Sequence, residues 1–242
     1  MTAAVLGGSF SPDYEPVPLK SMPNGIDKEL DMEMGFEIDD SPKALIHPID
    51  QGISVLQVTI RRPFTVFSIM AISWSLLPYV VPVFTILSFV RYMAIALARG
   101  QSVFGGYSGF LMFFICLAIS GVLLNEKVLK RIIQEPRPAA SASTSYGMPS
   151  GHSTNCYAWL VWCLVELLTQ PSPSSALTWF LAILAIFVLG PVPYARVYLK
   201  DHTVKQVLVG CVVGSLIGLV AVPVRHVVFP NAVPLWLSLP TN

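Results

Sequence analysis

Three short polar constellations carry the residues of this chain that could do chemistry. The first is Lys130-Arg-Ile-Ile-Gln-Glu-Pro-Arg137-Pro138. The second is Pro149-Ser150-Gly151-His152, and the third is Arg196-Val-Tyr-Leu-Lys-Asp-His202, followed by Gln206. Lys130, Arg137 and Arg196 supply cations, and the two guanidinium forks suit bidentate contact with phosphoryl oxygens. Ser150 adds a hydroxyl. Backbone N–H groups at Gly151 and His152 open a helix after Pro149, a place where anions bind, and glycine lets the ligand approach the backbone closely. Together these form a cradle for a phosphoryl group and for the charge of its transition state.

Two imidazoles complete the reaction logic. A neutral ring can attack phosphorus and form a phosphohistidine. A protonated ring can give its proton to the departing oxygen. His202 and Gln206 stand four residues apart, which on a helix places them on one face. The Gln206 oxygen can then accept the far ring N–H and fix the tautomer, which casts His202 as nucleophile and His152 as acid. Glutamine stabilises the charged ring less than a carboxylate does. Asp201 adjoins His202 directly, so its side chain is expected to point elsewhere. His47, in a polar stretch, and His226, beside Arg225, are read as structural.

The elements that must hold these residues together are read from the apolar pattern. More than half of the 242 residues are hydrophobic and only 12% are charged, against about 25% in a soluble domain. The excess apolar surface needs lipid. Long apolar runs exclude a membrane barrel, whose strands alternate, so the fold class is all-α: a polytopic transmembrane helical bundle.

About five spans are expected, with six possible. Phe64 to Ala98 reads as one kinked span ending near Val90 with an interfacial continuation, two tilted short spans being the alternative. Gly106–Leu124, Thr154–Leu168, Leu177–Pro193 and Val204–Val224 follow. If successive spans alternate in direction, the three constellations converge at one membrane face. Gly210, Gly214 and Gly218, spaced by four, are read as a helix-packing stripe.

Charge divides the chain. Residues 1–50 hold ten acids and three lysines, net −7, and the remainder is net +8. An electropositive membrane part suits an anionic ligand or lipid surface, while cations dispersed between apolar spans do not suit nucleic acid. Residues 1–55 are expected to be an acidic, largely disordered tail, 56–230 the membrane domain, and 231–242 a short C-terminal tail. Cys116, Cys156, Cys163 and Cys211 read as small buried hydrophobes.

The three motifs together resemble the type 2 phosphatidic acid phosphatase superfamily. Its pattern is Lys, six residues, Arg-Pro; then Pro-Ser-Gly-His; then Ser-Arg, five residues, His, three residues, Asp. Residues 120–220 carry the resemblance, with two departures: Ala195 stands for the Ser and Gln206 for the Asp. Gln134-Glu-Pro-Arg-Pro138, Tyr146-Gly-Met-Pro-Ser150, Arg196-Val-Tyr-Leu199 and His202-Thr203 with Gln206-Val207 are similar to dolichyl diphosphatases.

The resemblance implies a metal-independent hydrolase with no cofactor that converts a polyprenyl diphosphate to the monophosphate. His202, His152 and Arg196 would be catalytic, Lys130, Arg137, Pro138, Ser150 and Gly151 substrate-binding, and Gln206 supporting. It implies an endoplasmic reticulum membrane with a luminal site. A plastid phosphatase of phosphatidate shares the His-Thr-Val and Gln-Val pattern and is the alternative. Other classes compatible with the motifs are a lipid phosphotransferase and a non-catalytic scaffold.

Overall fold

The computed structural model describes residues 53–60, 64–170 and 174–234. A hairpin of strands β1 (Ile53–Val55) and β2 (Val58–Ile60) precedes the helices. There follow α1 (Val66–Ala98), α2 (Gly106–Leu123), α3 (Lys130–Ile133), α4 (Gly151–Thr169), α5 (Ser175–Leu189), α6 (Val192–Tyr198) and α7 (Val204–Val228). A π-helical segment, Leu124–Leu129, joins α2 to α3 without a break. This is the expected helical membrane bundle, and the chain is an integral membrane protein. Val66–Ala98, Gly106–Ile133, Ser175–Tyr198 and Val204–Val228 are each long and apolar enough to cross a bilayer.

The fifth long helix is the central one. α4 has 19 residues, about 28 Å of rise, but it is less apolar because buried Ser153, Thr154, Asn155 and Glu166 lie on it. Neighbouring helices, rather than lipid, surround it, so it can carry polar side chains that a lipid-facing helix cannot.

Its closest neighbour is α7, and the glycine stripe explains why. A Cβ at Gly210 would lie 2.8 Å from the Ser150 carbonyl oxygen, and one at Gly218 would lie 2.5 Å from that of Ala158. A Cβ at Gly214 would collide with the Thr154 carbonyl. The expected packing role is therefore met, and it sets the spacing of the helices that carry the second and third motifs. The apolar core runs along the same helices, with Phe110, Phe113, Trp159 and Trp162 at its centre.

At the end of α4 away from the histidine motif, Arg225 grips buried Glu166 through Nε (2.6 Å) and Nη2 (2.8 Å). Arg225 Nη1 donates to the Ala232 carbonyl, and Gly106 exchanges backbone bonds with Asn231 and Val233. Residues 231–233, expected to begin a tail, are thus fastened to the start of α2.

Several expectations change. Residues 64–98 form neither two spans nor a span with a separate continuation. α1 is one helix of 33 residues that passes through Pro78 and Pro82. Intramembrane helices tolerate proline where neighbours re-satisfy the freed backbone groups. Lys130 lies on the helix that continues the second span, not beyond it. Cys116 is exposed on the outer face of the bundle, whereas Cys156 is buried. Of the expected acidic tail, residues 1–52 lie outside the described residues, as does His47, and residues 53–55 are strand β1.

Candidate active site

The site is built where the loop before α4, the loop before α7 and the hairpin meet. α4 begins at Ser150, whose extended backbone makes it the N-cap, yet its side chain makes no capping bond. Its hydroxyl instead accepts from Ser153 Oγ at 3.1 Å. Helices α1, α5 and α7 all have side-chain caps, on Thr65, Ser174 and Thr203. α4 keeps its first-turn N–H groups uncapped, which is how an anion-binding helix end is left. The Ser150 N–H donates to the Gln206 carbonyl at 3.1 Å, which ties the second motif to the third.

His202 is held from both sides. Nδ1 faces Gln206 Oε1 at 3.1 Å, and Nε2 faces Arg137 Nη1 at 3.1 Å. A guanidinium only donates, so Nε2 must accept and the ring proton must sit on Nδ1, donated to Gln206. The orientation of the Gln206 amide is equally determined. Its Nε2 donates to Glu135 Oε1 (3.0 Å) and the Pro136 carbonyl (2.8 Å), which leaves only Oε1 for the ring.

The i,i+4 expectation gives the right pair for a different reason. His202 lies before α7, Thr203 is the N-cap, and Gln206 is the third helical residue of a capping box. The contact is made across the helix start, not along a helix face.

Burial, then Arg137 and Arg196, hold the His202 ring well below the ordinary imidazole range, so it is neutral at physiological pH. The sign follows. The ring binds a proton more readily in the unfolded chain, so its contribution is fully present above the ordinary imidazole pKa and is lost progressively as pH falls from there through the lower folded value. A Gln206→Asp variant would set a carboxylate against Nδ1 and favour the imidazolium. It would also lose both donor bonds and oppose Glu135. The acid limb of the kcat/KM profile is expected to move to higher pH, and an unmoved limb would show that residue 206 does not tune His202.

The cations converge as expected, with partners not foreseen. Arg196 is fully buried, and its Nη2 pairs with Asp201 Oδ2 at 3.1 Å and donates to the Gln57 carbonyl at 2.5 Å. Among the described residues its Nε and Nη1 have no hydrogen-bond partner. Arg137 donates through Nε to the Ser145 carbonyl and through Nη2 to Gln57 Oε1. Lys130 Nζ pairs with Glu126 Oε1 at 2.6 Å, and Asn125 bonds to Glu126 and Thr154 within the bundle. The π-helical segment widens one turn here, a device frequent at functional sites.

His152 is buried, and its Nε2 has no hydrogen-bond partner among the described residues. Its ring meets Tyr79 edge-on at 5.5 Å. A cavity of about 220 Å³ is lined by Gln57, Tyr79, Asn125, Glu126, Gly151 and His152, among others. Pro138 has no N–H to offer. It opens the turn to Ser141, whose Oγ reaches Asp201 while the Ala142 N–H reaches Thr59.

Asp201 points away from His202, as expected, and orients Arg196. Ala195, where the resembled pattern has a serine, is buried in a cluster with Val58, Ala71 and Leu199. Residues that sequence reasoning passed over are Gln57, Thr59 and Glu135. The signal for the hairpin was present, since Ile53-Ser-Val and Val58-Thr-Ile flank a two-residue break.

Comparison with known proteins places the chain in a class. The profile of the PAP2 superfamily matches residues 109–229, half of the chain, and the chain belongs to that superfamily. Among curated proteins it is 38% identical to human "Dolichyldiphosphatase 1" over 117 residues, covering 42% of this chain and 48% of that protein. It is 33% identical to the "Dolichyldiphosphatase" of Saccharomyces cerevisiae over 123 residues, 43% of this chain and 48% of that one. "Lipid phosphate phosphatase epsilon 2, chloroplastic" of Arabidopsis thaliana is 31% identical over 96 residues, 36% and 30% of the two chains. The matched stretch spans about half the length of the dolichyldiphosphatase relatives. No solved structure gives a significant match.

Proposed function

We propose that the protein is a metal-independent lipid phosphatase that hydrolyses a polyprenyl diphosphate of the dolichyl type to the monophosphate. The observation that carries this reading is the His202 ring, its proton held on Nδ1 by Gln206 and its Nε2 lone pair turned toward Arg137.

In the proposed reaction Nε2 attacks the terminal phosphorus and an N–P bond forms. The bond from phosphorus to the bridging oxygen breaks, and its electrons leave with the lipid monophosphate, protonated by His152 as its charge requires. Arg196 Nε and Nη1, Arg137, Lys130, the Ser150 hydroxyl and the first N–H groups of α4 hold the equatorial oxygens. Water, whose proton His152 takes up to restore its starting state, then attacks phosphorus, the N–P bond breaks, and inorganic phosphate leaves with His202 again neutral. The unpartnered donors of Arg196 support this assignment, because buried guanidinium N–H groups without acceptors are costly unless a ligand supplies them.

A second feature supports a lipid substrate. An apolar cleft of about 380 Å³ lies between α1, α2, α4 and α5, lined by Val81, Phe110, Phe114, Trp159 and Leu184 among others. Such a cleft suits hydrocarbon. The motif resemblance to dolichyl diphosphatases implies an endoplasmic reticulum membrane with the site toward the lumen, and the match to a protein named a chloroplastic lipid phosphate phosphatase supports a phosphatase of lipid monophosphates such as phosphatidate as the second reading.

Turnover of a dolichyl-type diphosphate and of phosphatidate by the purified chain decides between them. The expected result is faster phosphate release from the diphosphate, unchanged by EDTA and blocked by vanadate. A preference for phosphatidate overturns the first reading, and loss of activity in EDTA overturns the metal-free mechanism.

A further inference from the structure

The hairpin that precedes the bundle brings one residue to the point where both site arginines meet. Strands β1 and β2 pair Val55 with Val58, so Leu56 and Gln57 alone make the turn. Both have positive φ, 50° and 60°. That is the signature of a tight hairpin turn normally built from Asn-Gly or Gly-Gly. Two bulky side chains in left-handed backbone carry strain that persists only where surrounding contacts enforce it, and such positions cluster at ligand sites.

The enforcing contacts are all at the site. Tyr79 donates to the Leu56 carbonyl at 2.8 Å. The Gln57 carbonyl accepts from Arg196, and its side-chain oxygen accepts from Arg137 at 3.3 Å. On β2, Thr59 is bound through its N–H and its hydroxyl to Asp201. The hairpin tip is therefore fixed to the two guanidinium groups and to the tyrosine that faces His152.

With Oε1 committed to Arg137, the amide orientation of Gln57 leaves the Nε2 donors without a hydrogen bond among the described residues. Gln57 is only partly buried and lines the same cavity as His152. Arg196 Nε and Nη1, without hydrogen-bond partners among the described residues, belong to the same side chain whose Nη2 holds the Gln57 carbonyl.

We infer that Gln57 is a substrate-contact residue whose amide N–H groups read the phosphate that is not transferred, and so select a diphosphate over a single phosphoryl group. This rests on the diphosphatase reading above and extends it to a residue outside the three motifs. The chemistry requires such a contact. The lysine, arginines, serine and helix N–H groups surround the phosphoryl group under attack, while the adjoining phosphate keeps its charge and leaves on the lipid. Neutral donors suit it, since they orient the group without trapping the product as a further cation would.

The test uses Gln57→Gly in the full chain. Glycine accepts the left-handed backbone and keeps the carbonyl that Arg196 uses, so only the amide is removed. Gln57→Asn is the second variant; it tolerates the same backbone but withdraws the amide by one methylene.

Isothermal titration with methylenediphosphonate, which is not hydrolysed, and with orthophosphate reads the preference directly. The unaltered chain is expected to bind the diphosphonate more tightly, and both variants to lose about tenfold of that preference, the worth of one hydrogen bond to a charged group. No preference in the unaltered chain, an unchanged preference in the variants, or an equal loss for both anions overturns the inference. Absence of diphosphate hydrolysis with the titration pattern intact would overturn the proposed function and leave the contact standing.

Discussion

His202→Ala is expected to reduce phosphate release by about 10⁴-fold or more and to abolish the covalent phosphoenzyme. Losses of this size follow when a nucleophile is removed from a unit that acts together, the remaining rate coming from binding and charge stabilisation. The ring is prepared for attack in the free protein. It is buried, neutral and fixed in one tautomer by Gln206, whose own amide is fixed by Glu135 and Pro136. Rapid quenching with labelled lipid diphosphate should trap an acid-labile, base-stable phosphoprotein in the unaltered chain and none in the variant.

His152→Ala provides the contrast. Its effect should be smaller on a diphosphate, whose leaving group is a phosphate monoester, than on phosphatidate, which expels an alkoxide in greater need of a proton. A His202→Ala chain that still turned over, or still became labelled, would refute the nucleophile assignment.

Asp201→Ala is expected to be the most damaging change to the fold near the site. Asp201 and Arg196 are both fully buried, with Nη2 and Oδ2 at 3.1 Å. Removing one partner leaves a buried charge uncompensated, which costs about 3–5 kcal/mol. For a chain of this size that corresponds to a fall of roughly 10 °C in the melting midpoint in detergent.

Activity should fall as well, because three attachments fail together. Asp201 positions Arg196, holds Thr59 of the hairpin and meets Ser141 of the loop that carries Arg137. Asp201→Asn keeps an acceptor for Thr59 and should melt between the two. A variant that melts with the unaltered chain would show that the hairpin and Arg196 are held by other means.

The spans and the three motifs were legible in the sequence because each is local. A run of apolar residues long enough for a bilayer needs no knowledge of its neighbours, and Pro149-Ser150-Gly151-His152 marks a helix start by itself. The glycine stripe was legible for the same reason, since residues four apart share a helix face whatever packs there.

Local reasoning failed where a contact crosses the chain start or a helix boundary. Phe64–Ala98 was divided because it is longer than one crossing needs and is interrupted by Pro78, Pro82 and Arg91, whereas the chain continues through all three as one helix from Val66 to Ala98. His202 and Gln206 were paired correctly although they share no helix, because a capping box brings its third residue back toward the residues before the cap.

What the sequence determined alone is therefore the class of fold, an all-α bundle in lipid, and which cationic, serine and histidine residues make up the candidate site. Only the tertiary structure decided their partners. Thr59 meets Asp201 across 142 positions, Arg196 meets Gln57 across 139, and Gln206 meets Glu135 across 71. The physical reason is burial. A charge in water needs no particular partner, but one removed from water must find a specific acceptor or donor nearby, and only packing determines which residue stands within reach.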